Sequence, residues 1–73
     1  MILNRVHVVD KDLLKDYIRK SGYKLSYIAR SLGVTQATLS SKLSNRLYFR
    51  GAEVIAICVI LNIPDEDKEK IFA

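Results

Sequence analysis

The chain has 73 residues, of which 49% are hydrophobic and 27% charged, a composition typical of one small folded domain. One cysteine excludes an intrachain disulfide, and one cysteine with one histidine cannot form a structural zinc site. The longest apolar stretch, Val54 to Leu61, is far shorter than the ~18 residues of a membrane span. The N-terminus also lacks the pattern of a signal peptide. These features predict a cytoplasmic protein without a membrane segment.

Charge is distributed unevenly along the chain, whose net charge is +4. Residues 1–16 carry three cations and three acids, residues 17–52 carry seven cations and no acid, and residues 53–73 carry two cations and five acids. A segment without carboxylates favours a surface that faces an anion, and nucleic acid is the commonest polyanionic partner. A solvated basic face without a partner is the alternative on charge alone.

The first part of the chain predicts a tail followed by two helices. Residues 1–9 are short and β-branched near their end, which fits a tail on the core or a short strand. Asp10 is a suitable N-cap for a helix over 10–21. Residues 25–32 carry apolar side chains at i, i+3, i+4 and i+7, which predicts a second helix.

A third helix is predicted over 36–44, with Thr35 as its N-cap. Its large apolar residues are Leu39 and Leu43, about one turn apart, so most of its surface is expected to lie outside the core. Residues 45–51 are expected to form a connecting loop.

The segment that follows is ambiguous. Residues 52–61 are almost wholly apolar and rich in β-branched side chains, so composition alone allows a buried strand or a buried helix. Pro64 can begin a last helix over 64–72, and the acids of its first turn suit the helix dipole. Ile71 and Phe72 are expected to be exposed unless a partner or the chain's own core covers them.

Two short helices joined by Gly-Val-Thr inside a basic segment form the helix-turn-helix pattern. Ala29 is small where the second helix must cross the first, and Gly33 tolerates the positive φ that the turn requires. The outward face of the second helix is small and polar, and suits a major groove about 12 Å wide. The residues that form the framework of this pattern are Ile28, Ala29, Leu32, Gly33, Val34, Leu39 and Leu43.

Residues 25–45, LSYIARSLGVTQATLSSKLSN, resemble the Cro/repressor-type helix-turn-helix of phage and bacterial regulators. In particular, they look like the short Cro-like regulators of phages and prophages of Gram-positive bacteria. The capped helix before the motif, and the apolar segment that ends in Leu-Asn-Ile-Pro after it, extend the resemblance over 10–73. The resemblance implies an all-α, five-helix, lambda-repressor-like domain in which residues 52–61 are helical.

Two positions depart from the pattern of that family. Lys24 stands where a polar N-cap is usual, and it can reach a phosphate instead. Lys42 stands where an apolar residue is common, and Leu43 is expected to take over that role one position later.

The resemblance also implies a function, namely a sequence-specific transcriptional regulator, a Cro-like repressor whose helix 36–44 reads the major groove. Gln36 opens that helix, and its amide can bond adenine N6 and N7 in bidentate fashion. The expected base contacts are Gln36, Ala37, Thr38, Ser40 and Ser41. Phosphate contacts fix the register without reading sequence. They are expected from Lys24, Tyr27, Thr35, Lys42, Asn45, Arg46 and Arg50.

The expected partner is double-stranded DNA with a pseudo-palindromic operator, in the bacterial cytoplasm at the nucleoid. One such helix reads only about four to six base pairs, too few to select a site in a genome. A weak homodimer is therefore expected, either through the C-terminal helices or by strand pairing of residues 6–9 between two copies.

Other functions are less well supported by the sequence. A protein-interaction module of the same fold, binding a partner as an antitoxin or anti-repressor does, is the alternative; a large apolar patch on residues 36–44 would favour it. The sequence contains no nucleophile–base pair, Gly-rich phosphate loop or metal-ligand spacing. Accordingly no enzymatic activity, cofactor, metal or small-molecule substrate is expected.

Overall fold

The computed structural model describes residues 5–6 and 8–72, which contain five helices and two very short strands. In chain order the elements are β1 (Arg5–Val6), α1 (Lys11–Ser21), α2 (Leu25–Leu32), α3 (Gln36–Leu43), β2 (Phe49–Arg50), α4 (Gly51–Leu61) and α5 (Asp65–Ile71). The prediction of five helices is confirmed, with ends that differ by one residue at most. Residues 1–4 and 7 of the predicted tail lie outside the described part of the chain.

The ends of the helices follow from local side-chain and backbone chemistry. The Asp10 carboxylate accepts a hydrogen bond from the Leu13 N–H at 3.0 Å, so Asp10 is the N-cap of α1. Gly22 and Gly33 end α1 and α2 in the left-handed conformation, with φ of 76° and 77°. Lys24 precedes α2 without a side-chain capping bond, as predicted from its lack of an acceptor.

Helix α4 lies at the centre of the core. It packs against α1, α2 and both strands, and it buries Val54, Ile57, Cys58 and Leu61. The β-branched residues of this segment favour a strand, but tertiary packing against the other elements on one side outweighs that preference and the segment is helical. Among its apolar residues, Ile55 and Val59 lie on the opposite side and are 60% and 71% exposed.

Strand β1 lies within residues 1–9, for which a short strand was one of the two alternatives, whereas β2 was not predicted. Strand β1 pairs antiparallel with β2, with Arg5 opposite Arg50 and Val6 opposite Phe49. Residues 45–51 are therefore not simply a loop, and α4 already begins at Gly51. One edge of Val6 is occupied by β2 of the same chain, and the pairing of residues 6–9 between two copies stays a prediction.

The end of α5 returns to the core. Ile71 and Phe72 are both buried, and the Phe72 ring meets the Phe49 ring edge-on with 5.5 Å between centroids. The alternative in which the chain's own core covers these residues is thus the correct one. The Ile71 carbonyl accepts the Val9 N–H at 2.6 Å, which joins the segment before α1 to α5.

A tyrosine also links α1 to α5. The Tyr17 hydroxyl donates a hydrogen bond to the Asp67 carboxylate, and this bond, together with burial, raises the pKa of Tyr17 to about 12. Within the described residues, no helix has the length and apolarity to cross a bilayer.

Candidate nucleic-acid interface

Helix α3 turns a small, polar face to solvent. Gln36, Ala37 and Ser40 are exposed, and Thr38 and Ser41 are partly exposed. These are the five residues expected to contact bases, and all of them remain accessible along α3. On its other side, Leu39 and Leu43 are buried against the rest of the core. Of the framework residues of α2 and the turn, Gly33 is exposed and the others are buried or partly buried: Ile28, Ala29, Leu32 and Val34.

The first turn of α3 is held by two threonines. The Thr35 hydroxyl oxygen accepts the Thr38 N–H at 3.1 Å and donates to the Thr38 hydroxyl oxygen at 2.9 Å. Thr35 is therefore the N-cap that the sequence predicts, and its hydroxyl proton is already used within the chain. Its exposed position next to the first α3 N–H groups nevertheless leaves this helix end open to an anion.

Four exposed cations surround α3 in the chain, on α2, its N-cap and the segment that follows α3. Within the described residues, their charged side-chain groups form no salt bridge with a carboxylate: Lys24, Arg30, Arg46 and Arg50. The other exposed cations of residues 17–52 differ, because Arg19 and Lys20 both pair with Asp16 of α1. Within residues 17–52, the charge available to an external anion thus lies on α2, at its N-cap and in the segment after α3, while Lys11 and Lys15 of α1 are also exposed.

A shallow groove of about 380 Å³ opens beside the end of α3. Thr38, Arg46 and Arg50 all line this groove. The remaining lining residues are Lys42, Leu47 and Tyr48. The groove therefore joins a residue expected to contact a base with two residues expected to contact phosphates.

Lys42 does not lie where a phosphate contact requires it, and that prediction is wrong for this structure. Its side chain is only 7% exposed, and its Nζ donates to Glu53 Oε1 at 2.6 Å and to the Tyr48 carbonyl at 3.1 Å. The same Glu53 oxygen accepts the Arg50 N–H at 2.8 Å. Leu43 is buried as expected, but Lys42 is buried beside it.

Glu53 is held in its charged form by these donors. Burial alone would raise its pKa, but the Arg50 N–H and the Lys42 ammonium outweigh burial and hold the pKa of Glu53 below the usual 4.5. Within the described residues, every buried side-chain nitrogen and oxygen has a hydrogen-bond partner. The ion pair is consequently a satisfied part of the core rather than an open anion site.

Two further residues expected to contact phosphates differ in accessibility. Tyr27 is 48% exposed and stacks at an angle on Tyr23, with 5.0 Å between ring centroids. Asn45 is half-buried and adopts the left-handed conformation, with φ of 64°, directly after the end of α3. Its backbone turns the chain toward β2, so its first role is to shape the turn.

Sequence reasoning missed Glu53 and Arg30. Glu53 is the single acid in an otherwise apolar helix, and a buried acid requires a cationic partner, which was the available signal. Arg30 was counted in the basic segment but was given no role, although it is exposed on α2.

The described residues contain no cluster of three or more histidine, cysteine or acidic side chains that could hold a metal ion. No model of a protein family, no curated protein and no solved structure matches this chain.

Proposed function

We propose that this protein is a sequence-specific DNA-binding transcriptional regulator of the Cro/repressor type, in which α2 and α3 act as a helix-turn-helix. The observation that carries the proposal is the combination of an accessible polar face on α3 with exposed, unpaired cations around it. A polar helix face can read base edges in the major groove, and flanking cations can bind the phosphates on either side.

The turn between α2 and α3 supports this arrangement. The left-handed Gly33 ends α2, and Thr35 begins α3 only two residues later. Ile28 and Ala29 of α2 and Leu39 of α3 are buried together in the core, so the polar face of α3 is left outward. In this proposal Gln36 reads a base, and Arg46 and Arg50 hold phosphates from the groove beside α3.

The alternative of a protein-interaction module receives less support from α3. Its exposed residues are a glutamine, an alanine and serines, whereas a docking surface for another protein is usually centred on large apolar or aromatic side chains. The large exposed apolar side chains of α4, Ile55 and Val59, lie on a different helix.

Those two residues instead suggest how two copies associate on DNA. Ile55 and Val59 are one turn apart on the outer side of α4, and the exposed Ala52 lies on the same side. No charged residue of α4 lies there, since its single acid is buried. We therefore place the weak homodimer contact on this face of α4 rather than on Phe72. On a pseudo-palindromic operator, such a dimer sets two α3 helices about 34 Å apart.

The test is a selection of bound duplexes from a random pool, followed by titration of the selected site and a scrambled site at several salt concentrations. Gln36→Ala is expected to cost about 1–3 kcal/mol at one base pair of the selected site and to relax specificity there. Arg46→Ala is expected to weaken both duplexes equally and to reduce the salt slope by about 1.

Lys15→Ala is the matched control, because it removes the same charge from an exposed position on α1 and is expected to change binding much less. Failure of the pool to enrich any sequence would contradict specific recognition. Equal behaviour of Gln36→Ala and Arg46→Ala on both duplexes would contradict the division of roles. Footprinting tests the dimer: the expected result is protection of two half-sites related by a dyad.

A further inference from the structure

The segment between α3 and α4, residues 44–50, is held by the buried Phe49 side chain, by the pairing of β2 with β1 and by backbone hydrogen bonds. The Ser41 carbonyl in the last turn of α3 accepts the N–H groups of Arg46 and Leu47 at 2.9 and 3.3 Å. Farther along, the Tyr48 carbonyl and the Arg50 N–H both point to the buried ion pair. A single salt bridge thus satisfies one backbone acceptor and one backbone donor on either side of Phe49.

The same ion pair connects three elements of the fold. Lys42 belongs to the last turn of α3, Glu53 to the first turn of α4, and the backbone groups that they bind lie at β2. The Lys42 ammonium also lies 5.9 Å from the centre of the buried Phe49 ring. Because both charged side chains are less than a tenth exposed, neither can contact DNA without leaving this arrangement.

We propose that Lys42 and Glu53 are positioning residues, which fix segment 44–50 on the end of α3 and so set where Arg46 and Arg50 stand relative to the polar face of that helix. Both arginines lie in this segment or at its end, and both line the groove that Thr38 also lines. The pair thereby aligns the phosphate contacts with the base contacts. Its effect on DNA rests on the proposed function, whereas its effect on the segment does not.

The double variant Lys42→Met/Glu53→Leu tests the proposal without changing the net charge. Apolar residues of similar volume often replace a buried ion pair with little loss of stability, so the helices are expected to remain folded. The amides of Arg46, Leu47 and Arg50 are expected to exchange hydrogen at least about tenfold faster, while those of Leu39 and Ile57 change little. The control Lys20→Met/Asp16→Leu removes a partly exposed ion pair on α1, again at constant net charge, and is expected to leave all these amides unchanged.

DNA binding by the double variant gives the second readout. Its affinity for selected and scrambled duplexes is expected to fall about tenfold, and its salt slope is expected to drop by about 2, one for each misplaced arginine. Because the net charge of the protein is constant, a change in the salt dependence of binding reports the position of the arginines and not the overall electrostatic attraction to DNA. A merely structural pair would leave the slope unchanged in the folded variant.

Several outcomes would overturn the proposal. Undiminished protection of the Arg46 and Leu47 amides would show that the segment is held by other contacts. Lost protection with unchanged affinity and slope would show that the segment does not position the arginines for DNA. If the wild-type protein binds no DNA, the proposed function fails, and hydrogen exchange alone decides whether the pair fixes the segment. Should the double variant not fold, Lys42→Met takes its place, because it removes the ion pair and the donor to the Tyr48 carbonyl, and unchanged protection of the Arg46 and Leu47 amides refutes the proposal.

Discussion

The burial of Phe72 allows a quantitative prediction for the variant Phe72→Ala. Its ring is 9% exposed and contacts the Phe49 ring edge-on. Truncation of a buried phenylalanine costs about 3–5 kcal/mol. The edge-on contact itself contributes about 0.5–1.5 kcal/mol of that cost. A folded chain of this length is expected to be stable by only about 4–11 kcal/mol, so the variant should lie near the limit of folding.

The assay is urea denaturation followed by far-ultraviolet circular dichroism, at a protein concentration where the chain is monomeric. Val59→Ala is the control, because that side chain is 71% exposed and its truncation is expected to change stability by less than about 0.5 kcal/mol. A loss below about 1 kcal/mol for Phe72→Ala would refute the packing of Phe72 on the core. It would also return the end of α5 to consideration as a dimer surface.

Three further predictions concern single positions. In the folded protein the pKa of Glu53 lies below 4.5, so its charge stabilises the fold above the unfolded pKa and this contribution is lost as the pH falls through the folded pKa. The difference in urea midpoint between wild type and Glu53→Gln should therefore shrink from pH 7 toward pH 3. Gly33→Ala should cost about 1–2 kcal/mol, because φ is 77° there, although no atom lies within 4 Å of the added Cβ. Gly51→Ala, which needs no positive φ, should cost nothing by the same urea titration. Val59→Lys should leave the monomer folded but weaken dimer formation in sedimentation equilibrium, and an unchanged dimer would remove the outer face of α4 as the interface.

Capping chemistry and periodicity were sufficient to predict most helix boundaries. Asp10, Gly33 and Thr35 act locally, within three or four residues of the groups that they satisfy, so their effects can be read along the chain. The helical state of α4 could not be derived in this way. Its composition favours a strand, and only the family resemblance predicted a helix there.

The contacts that sequence reasoning missed join distant segments. Lys42 follows Leu39 by three residues and therefore lies on the buried side of α3, but its partner Glu53 belongs to another helix. Only the closeness of the end of α3 to the start of α4, where Lys42 meets Glu53, reveals that a lysine can be buried there. The β1–β2 pairing was equally hidden, because strands of two residues carry no usable alternation.

The central position of α4 has a consequence for the order of folding. Helix α4, against which α1 and α2 pack, begins only at Gly51. The core residues Leu14, Ile28 and Leu39 are therefore synthesised before it. At about 5–20 residues per second, the ribosome takes roughly 2–9 s to proceed from Leu14 to Ile57. During that interval α1, α2 and α3 lack the core, and helices this short have only marginal stability by themselves in water. The domain is therefore expected to fold in one cooperative step after α4 has been made, rather than helix by helix from its N-terminus.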